Sequence, residues 1–303
     1  MSLAEVEEIG VERERLASGH WREAWRRLRR NPGAIVGAAC VALFIFVAIF
    51  APLIAPYSPT EQNLSLLVNG CCPGPSWAHP MGIDELGRDE LSRVMYGARY
   101  SLVIGVVSVA VGLSIGMLLG AIAGGLGGKA DTAVMRGMDI MLAIPGLLLA
   151  IGIVSLLGPG LVPVMVAVGV ANVPIFARLL RGTILGQWDN DYVLAARSIG
   201  VRRRAILTGH IIPNSISPVI VAATLAMATA IIDVAGLGFL GLGSQDPSTP
   251  EWGTMLTNAN LYLSTAPLLA FFPGLAIVIV VLGFNLIGDG MREALDPKLR
   301  GRV

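Results

Sequence analysis

Chemistry needs reactive groups brought together, and this sequence offers few candidates. The histidines, His20, His79 and His210, are scattered along the chain, and a metal cage cannot be built from one histidine at a time. The three cysteines, Cys40, Cys71 and Cys72, are too few for a disulfide framework and form no C-x-x-C pair. Cys71 and Cys72 could close a vicinal disulfide, but two ordinary thiols are the expectation. No Ser-His-Asp or Cys-His arrangement suggests a nucleophile. Gly127-Gly128-Lys129 ends like a phosphate loop, yet that loop needs glycine where Ala123 stands and serine or threonine where Ala130 stands. The chain is therefore expected to hold no catalytic, cofactor-binding or metal site of its own. Two features remain: Asp233, an isolated carboxylate in an apolar run, and an arginine-rich loop after Arg181.

Composition explains where such residues must sit. Hydrophobic residues make up 54% of the 303 and charged residues 14%, against about 25% charged in soluble chains. Mean hydropathy is +0.70. Too little charge is available to cover a water-facing surface, and disorder requires the opposite composition. Net charge is +1, so no field points to nucleic acid. The sequence predicts an all-α integral membrane protein. Uncharged runs predict six transmembrane helices, near Ala34–Ile54, Ser101–Gly124, Val134–Leu157, Leu161–Leu180, Ile216–Leu237 and Ala266–Ile287, each of about 20 residues. Gly158-Pro159-Gly160 separates the third from the fourth. Nineteen basic residues fall on one side of this partition and Arg88, Arg93 and Arg99 on the other, which predicts that both termini are cytoplasmic.

The resulting organisation is a cytoplasmic amphipathic segment (1–33), a first span with an outer loop (34–100), a five-helix core (101–290) containing a cytoplasmic loop (182–215), and a cytoplasmic tail (291–303). Trp21, Trp25 and Leu28 share one helical face beside basic residues, as in a helix lying on the membrane surface. Ser108, Gly112, Gly116, Gly120 and Gly124 recur every fourth residue, a ridge on which another membrane helix can pack closely. An ionised carboxylate near the bilayer centre costs about 3 kcal/mol or more, so Asp233 must face the bundle interior or water. It either contacts a cationic group on the translocation path or, the favoured expectation, forms a structural hydrogen bond. Asp139 lies nearer the cytoplasmic end of its span, as an interfacial or packing residue.

The loop carries the strongest local pattern. Tyr192, Ala195, Ala196 and Ile199 lie on one face of a short helix, with Gly200 as its cap. Val201 and Arg202-Arg203-Arg204 follow, and Pro213 marks entry to the next span. Two small alanines leave room for a partner to close around the helix.

Ala195-Ala196-x-x-x-Gly200 followed by His210-Ile211-Ile212-Pro213 resembles the coupling motif of permease subunits in binding-protein-dependent ABC importers. Leu194 stands where that motif has glutamate, His210 where it has isoleucine and Ile212 where it has leucine. His79 to Asp89, Ser92-Arg93, Tyr96 to Arg99, Gly238 to Gly243, Pro250-Glu251-Trp252-Gly253, and Asn285 to Gly290 through Asp296-Pro297 resemble the dipeptide, oligopeptide and nickel permeases. Within them the chain is similar to the C-type subunit of dipeptide importers, from about Trp21 to Arg300.

That resemblance implies a type I ABC importer permease fold in the bacterial inner membrane. It implies a second homologous permease subunit, two cytoplasmic ATPases that bind ATP and Mg, and an extracytoplasmic substrate-binding protein. The coupling contact would be Tyr192 to Arg204. Arg202–Arg204 would chiefly anchor to anionic lipid. The outer acids Asp84, Glu85, Asp89, Glu90, Asp246 and Glu251 would give the binding protein a negative docking face. The substrate would be a di- or oligopeptide, with nickel, glutathione or another small solute as alternatives. A six-span carrier driven by an ion gradient is the rival class; it would work without an ATPase, and Asp233 is its one supporting residue.

Overall fold

The computed structural model describes residues 22–67 and 71–295. His20, Trp21 and the tail from Asp296 onward lie outside the described residues. The architecture is helical: α1 (Pro32–Ile54), α2 (Glu90–Leu126), α3 (Gly128–Leu142), α4 (Gly146–Leu157), α5 (Leu161–Gln187), α6 (Asp191–Ser198), α7 (Arg203–Ile206), α8 (Ile212–Phe239), α9 (Trp252–Asn260) and α10 (Leu268–Leu295). Residues 22–28 form a further helical stretch. Starts follow capping chemistry. Asn31 accepts from the Ala34 amide, with Pro32 in the first turn of α1. The Asp89 carboxylate accepts from the Ser92 amide at 2.8 Å to open α2.

Among the described residues, five helices are long and apolar enough to cross a membrane: α1, α2, α5, the continuous stretch Arg203–Phe239, and α10. The stretch expected as a third straight span, Val134–Leu157, is corrected. It is two helices, α3 and α4, bent by 91°. Pro145 lacks an amide donor, clashes with a continuing helix and drives Ile144 away from helical geometry. The pair is not one straight rod. The first expected span, Ala34–Ile54, agrees with α1 to within two residues, whereas Ser101 and Ile216 start well inside their helices and Leu180 and Ile287 stop seven or eight residues short. With 37 residues, α2 is about 55 Å long at 1.5 Å per residue, well beyond a hydrocarbon core of about 30 Å.

The packing centre is the α2–α5 pair. A methyl group at Gly112 would lie 2.6 Å from the Gly169 carbonyl oxygen, at Gly116 2.6 Å from Phe176 Cβ, and at Gly120 2.6 Å from the Ala177 carbonyl oxygen. One at Gly124 would meet Ile184 at 2.9 Å. The predicted ridge is thus a groove filled by α5, and Ser108 is buried at its head. Ion pairs of α5 with α3 add to this: Arg181 Nη2 reaches Asp131 Oδ2 at 2.7 Å, and Arg178 Nη2 reaches Asp139 Oδ1 at 2.8 Å. Asp139 is exposed and ion-paired with Arg178 across the α3–α5 contact. A second close crossing joins α1 to α10 through Gly37 and Gly283.

Candidate functional site

Because α2 is one helix, its two ends fix two separate sites about 50 Å apart. At the first, the loop before Glu90 folds into a charged knot. Arg88 Nε donates to Asp84 Oδ2 at 2.6 Å, and its Nη1 to the Pro247 carbonyl at 2.6 Å. Arg93 Nε lies 3.3 Å from the same Asp84 oxygen, and its Nη1 donates to the Pro59 carbonyl. His79 Nδ1 lies 2.9 Å from Asp89 Oδ1, while Asp89 Oδ2 caps α2. Both arginines and Asp84, Asp89 and Glu90 are buried. A buried guanidinium needs a paired charge and hydrogen-bond acceptors; Arg88 and Arg93 share Asp84, and each donates to a backbone carbonyl.

Glu251 belongs to the same end. It is buried and caps α9, accepting from the amides of Gly253 at 2.7 Å and Thr254 at 2.8 Å and from the Thr254 hydroxyl at 3.0 Å. Burial raises its pKa against the lowering effect of these donors. Gly238 at the end of α8 leaves room for this carboxylate, since a methyl there would lie 2.8 Å from Oε2. Trp252 is fully buried beside it, its indole nitrogen donating to the Val94 carbonyl at 3.0 Å.

The acids expected at the docking face differ in exposure. Asp84, Asp89, Glu90 and Glu251 are buried, and burial pushes the Glu90 carboxyl up to about 8, so that it is largely neutral. Glu85 is largely buried beside Arg88, and burial raises its pKa. Asp246 is the exposed member, its pKa lowered by hydrogen bonds from Ser248. Sequence reasoning missed the most prominent group of this end, Trp77, which is fully exposed. A tryptophan flanked by prolines in a polar loop was the available signal. The expectation of free thiols is also corrected: Cys71 and Cys72 are disulfide-bonded. Adjacency holds their α-carbons 3.6 Å apart, and the loop is fastened by the Ile83 amide donating to the Pro73 carbonyl.

At the other end of α2 lies the predicted motif. Asp191–Ser198 forms α6, and Gly200 adopts φ +78°. The Gly200 amide donates to the Arg197 carbonyl at 2.9 Å and the Val201 amide to the Ala196 carbonyl at 3.0 Å. This pair of bonds is a Schellman cap, which needs a left-handed residue at that position. Nothing lies within 4 Å of a methyl built on Gly200, so backbone conformation alone requires glycine.

Of the predicted face, Ala195 and Ile199 are exposed, Ile199 at 81%, together with Leu194 at 49%. Tyr192, Ala196 and Val201 pack partly against the core, and the Tyr192 hydroxyl donates to Gln187 at 2.7 Å. Val193 is the buried anchor. Arg202, Arg203 and Arg204 are exposed. A π-type turn over Leu207–Ile211 precedes Pro213, with the Ile212 amide donating to the Leu207 carbonyl. Such a bulge accommodates a proline whose missing donor would break a regular ladder.

Trp188 underlies this segment. Its indole nitrogen donates to the Gly124 carbonyl at 3.0 Å, and the guanidinium carbons of Arg197 and Arg203 lie 5.2 and 4.7 Å from its ring centroid.

Asp233 is half-buried in α8. Among the described residues no hydrogen bond or ion pair reaches it, and the favoured structural hydrogen bond is not found among them.

A helical membrane protein with a tightly packed α2–α5 pair and a capped, partly apolar helix projecting beyond it has the anatomy of a transporter subunit. Residues 116–301 match the family described as "Binding-protein-dependent transport system inner membrane component", and residues 19–69 match the "N-terminal TM domain of oligopeptide transport permease C". The chain belongs to this family of multi-pass inner-membrane permeases.

It is 46% identical over 280 residues to the dipeptide transport system permease protein DppC of Alkalihalophilus pseudofirmus, covering 92% of this chain and 90% of that protein. It is 49% identical over 282 residues to the glutathione transport system permease protein GsiD of Shigella flexneri, covering 93% and 91%. The solved inward-facing structure of the MetNI methionine ABC transporter has a chain of the same fold. Its TM-score is 0.56 at 20% identity, over 67% of this chain and 96% of that one.

Proposed function

We propose that this chain is one of two permease subunits of an ATP-driven importer of short peptides, crossing the bacterial inner membrane six times with both termini in the cytoplasm. The observation that carries the reading is α6 with its Schellman cap: a short, internally closed helix presenting Leu194, Ala195 and Ile199 outward. Such a face suits a groove on a cytoplasmic ATPase, while ATP and Mg remain in that partner. The basic side of the tally, with Arg202, Arg203 and Arg204 beside anionic lipid, supports the orientation. The opposite end, with Trp77 and Asp246 exposed, then meets the substrate-binding protein.

In this reading Asp233 faces the path shared with the second permease and can accept a cationic group such as a peptide amino terminus. ATP-driven closure of the two ATPases would move the coupling helices and rock the two permeases between inward- and outward-facing states. Relatives named for dipeptide and for glutathione transport stand at comparable identity, so glutathione is the second substrate reading.

The test is reconstitution of the complete importer in liposomes with its binding protein. Uptake of short peptides that requires ATP, and stimulation of ATP hydrolysis by loaded binding protein, are expected. Uptake driven by an ion gradient without ATPase would refute the proposal, and uptake of glutathione alone would select the second substrate.

A further inference from the structure

We propose that Trp188 is the positioning residue that makes the segment 191–206 and the α2–α5 pair move as one body. The inference rests on the coupling role proposed for that segment. It concerns a residue outside the predicted coupling motif.

Three connections converge on this side chain. Trp188 closes α5, so its backbone continues that helix. Its indole nitrogen is bonded to Gly124, the last residue of the ridge on α2. Its ring carries Arg197 from the last turn of α6 and Arg203 from the start of α7. An aromatic face attracts guanidinium groups while the indole edge keeps a donor for a carbonyl. One residue at the end of α5 therefore contacts three other helices using different parts of its structure.

The remaining attachments of α6 are apolar or local, with Tyr192 and Ala196 packed partly against the core. Val193 is its buried residue, and Tyr192 bonds to Gln187 within the same stretch of chain. Among the described residues neither Arg197 nor Arg203 forms an ion pair, so the ring is the partner shared by both helices. Trp188 itself is only 7% exposed, which keeps the Gly124 bond out of water. Displacement of α6 by a partner would act through the two arginines on the ring, and through the ring on both members of the tightest helix pair in the fold.

The experiment uses the complete importer in liposomes and reads solute moved per ATP hydrolysed, with assembly measured by co-purification of the subunits. Trp188→Leu removes both the ring and the donor. Trp188→Phe keeps a smaller aromatic face for the arginines and loses the donor. Arg197→Gln combined with Arg203→Gln leaves Trp188 intact.

The expected result is a fall of about fivefold or more in the ratio for Trp188→Leu, the lower edge of ordinary coupling free energies. Trp188→Phe should recover part of that loss, and the arginine double variant should lower the ratio with assembly unchanged. An unchanged ratio in Trp188→Leu, or uptake and hydrolysis falling together in proportion, would overturn the inference and leave the residue merely structural. If Trp188→Leu does not assemble, the phenylalanine and arginine variants decide by the same ratio. Failure of the unaltered importer to show ATP-dependent uptake would instead refute the function on which the inference rests.

Discussion

Replacing Gly116 with alanine is the sharpest test of how the bundle is held. The added methyl would lie 2.6 Å from Phe176 Cβ, 2.8 Å from the Val173 carbonyl oxygen and 3.1 Å from the Ala177 amide nitrogen. Ordinary carbon contacts are about 3.5–4.0 Å, so the shortfall is about 1 Å. Two of the three obstacles are backbone of α5, which cannot rotate aside, so the helices must separate. In a helix that tolerates it, glycine to alanine gains up to about 1 kcal/mol from propensity. Overpacking of a tight interface costs about 1–3 kcal/mol, and loss of the neighbouring contacts at Gly112 and Gly120 adds to it. Net destabilisation of about 1–2 kcal/mol follows.

The control is Gly152→Ala in α4, where a methyl meets nothing within 4 Å; it should be neutral or stabilising. Thermal unfolding of the purified permease in one detergent reads the difference. Gly112→Ala added to Gly116→Ala should cost less than the two singles together, because one separation relieves both clashes. A Gly116→Ala variant as stable as Gly152→Ala, or strict additivity with Gly112→Ala, would refute the close-packed ridge.

Further outcomes are expected elsewhere. Gly200→Ala forces a β-carbon into a left-handed conformation at about 1–2 kcal/mol; faster amide exchange at position 200 and at Val201, with the transmembrane helices unaffected, would report it. Ala195→Glu should leave membrane levels normal and abolish uptake, whereas Ala196→Glu also strains the half-buried inner face of α6; normal uptake by Ala195→Glu would remove that surface from the coupling contact. Glu251→Ala loses a helix cap worth about 1–2 kcal/mol. Since burial raises the pKa of Glu251 above its ordinary 4.5, its contribution is full below that value and lost as pH rises through the folded pKa. Glu251→Gln should flatten that part of the stability profile, and an unchanged slope would show that another group sets it. Trp77→Ala should weaken stimulation of ATP hydrolysis by loaded binding protein while leaving permease stability unaltered, as judged by thermal unfolding.

Periodic features were legible in the sequence because they encode a helix face directly. The fourfold spacing from Ser108 to Gly124 specified the groove that α5 fills, and Ala195 to Gly200 specified a short helix with a glycine cap. The break at Pro145 was written in the sequence too, but the apolar run around it masked it, since hydropathy is blind to a missing backbone donor. The charged knot was harder. Asp84 and Glu85 look like a solvated acidic loop until Arg88 and Arg93 fold over them, and in the topology tally both arginines were only outer-side exceptions. Glu251 depends on Gly253, Thr254 and the space left by Gly238, a relation between segments that no local pattern expresses. Trp188 drew no notice because its partners come from three different helices.

The Schellman cap has one more consequence. A segment whose last turn is closed by its own amides arrives at a binding surface already shaped, so association forfeits little chain freedom. A small contact can then be strong enough to carry force and still be released within each transport cycle, where a segment that folded on arrival would need a larger footprint for the same grip.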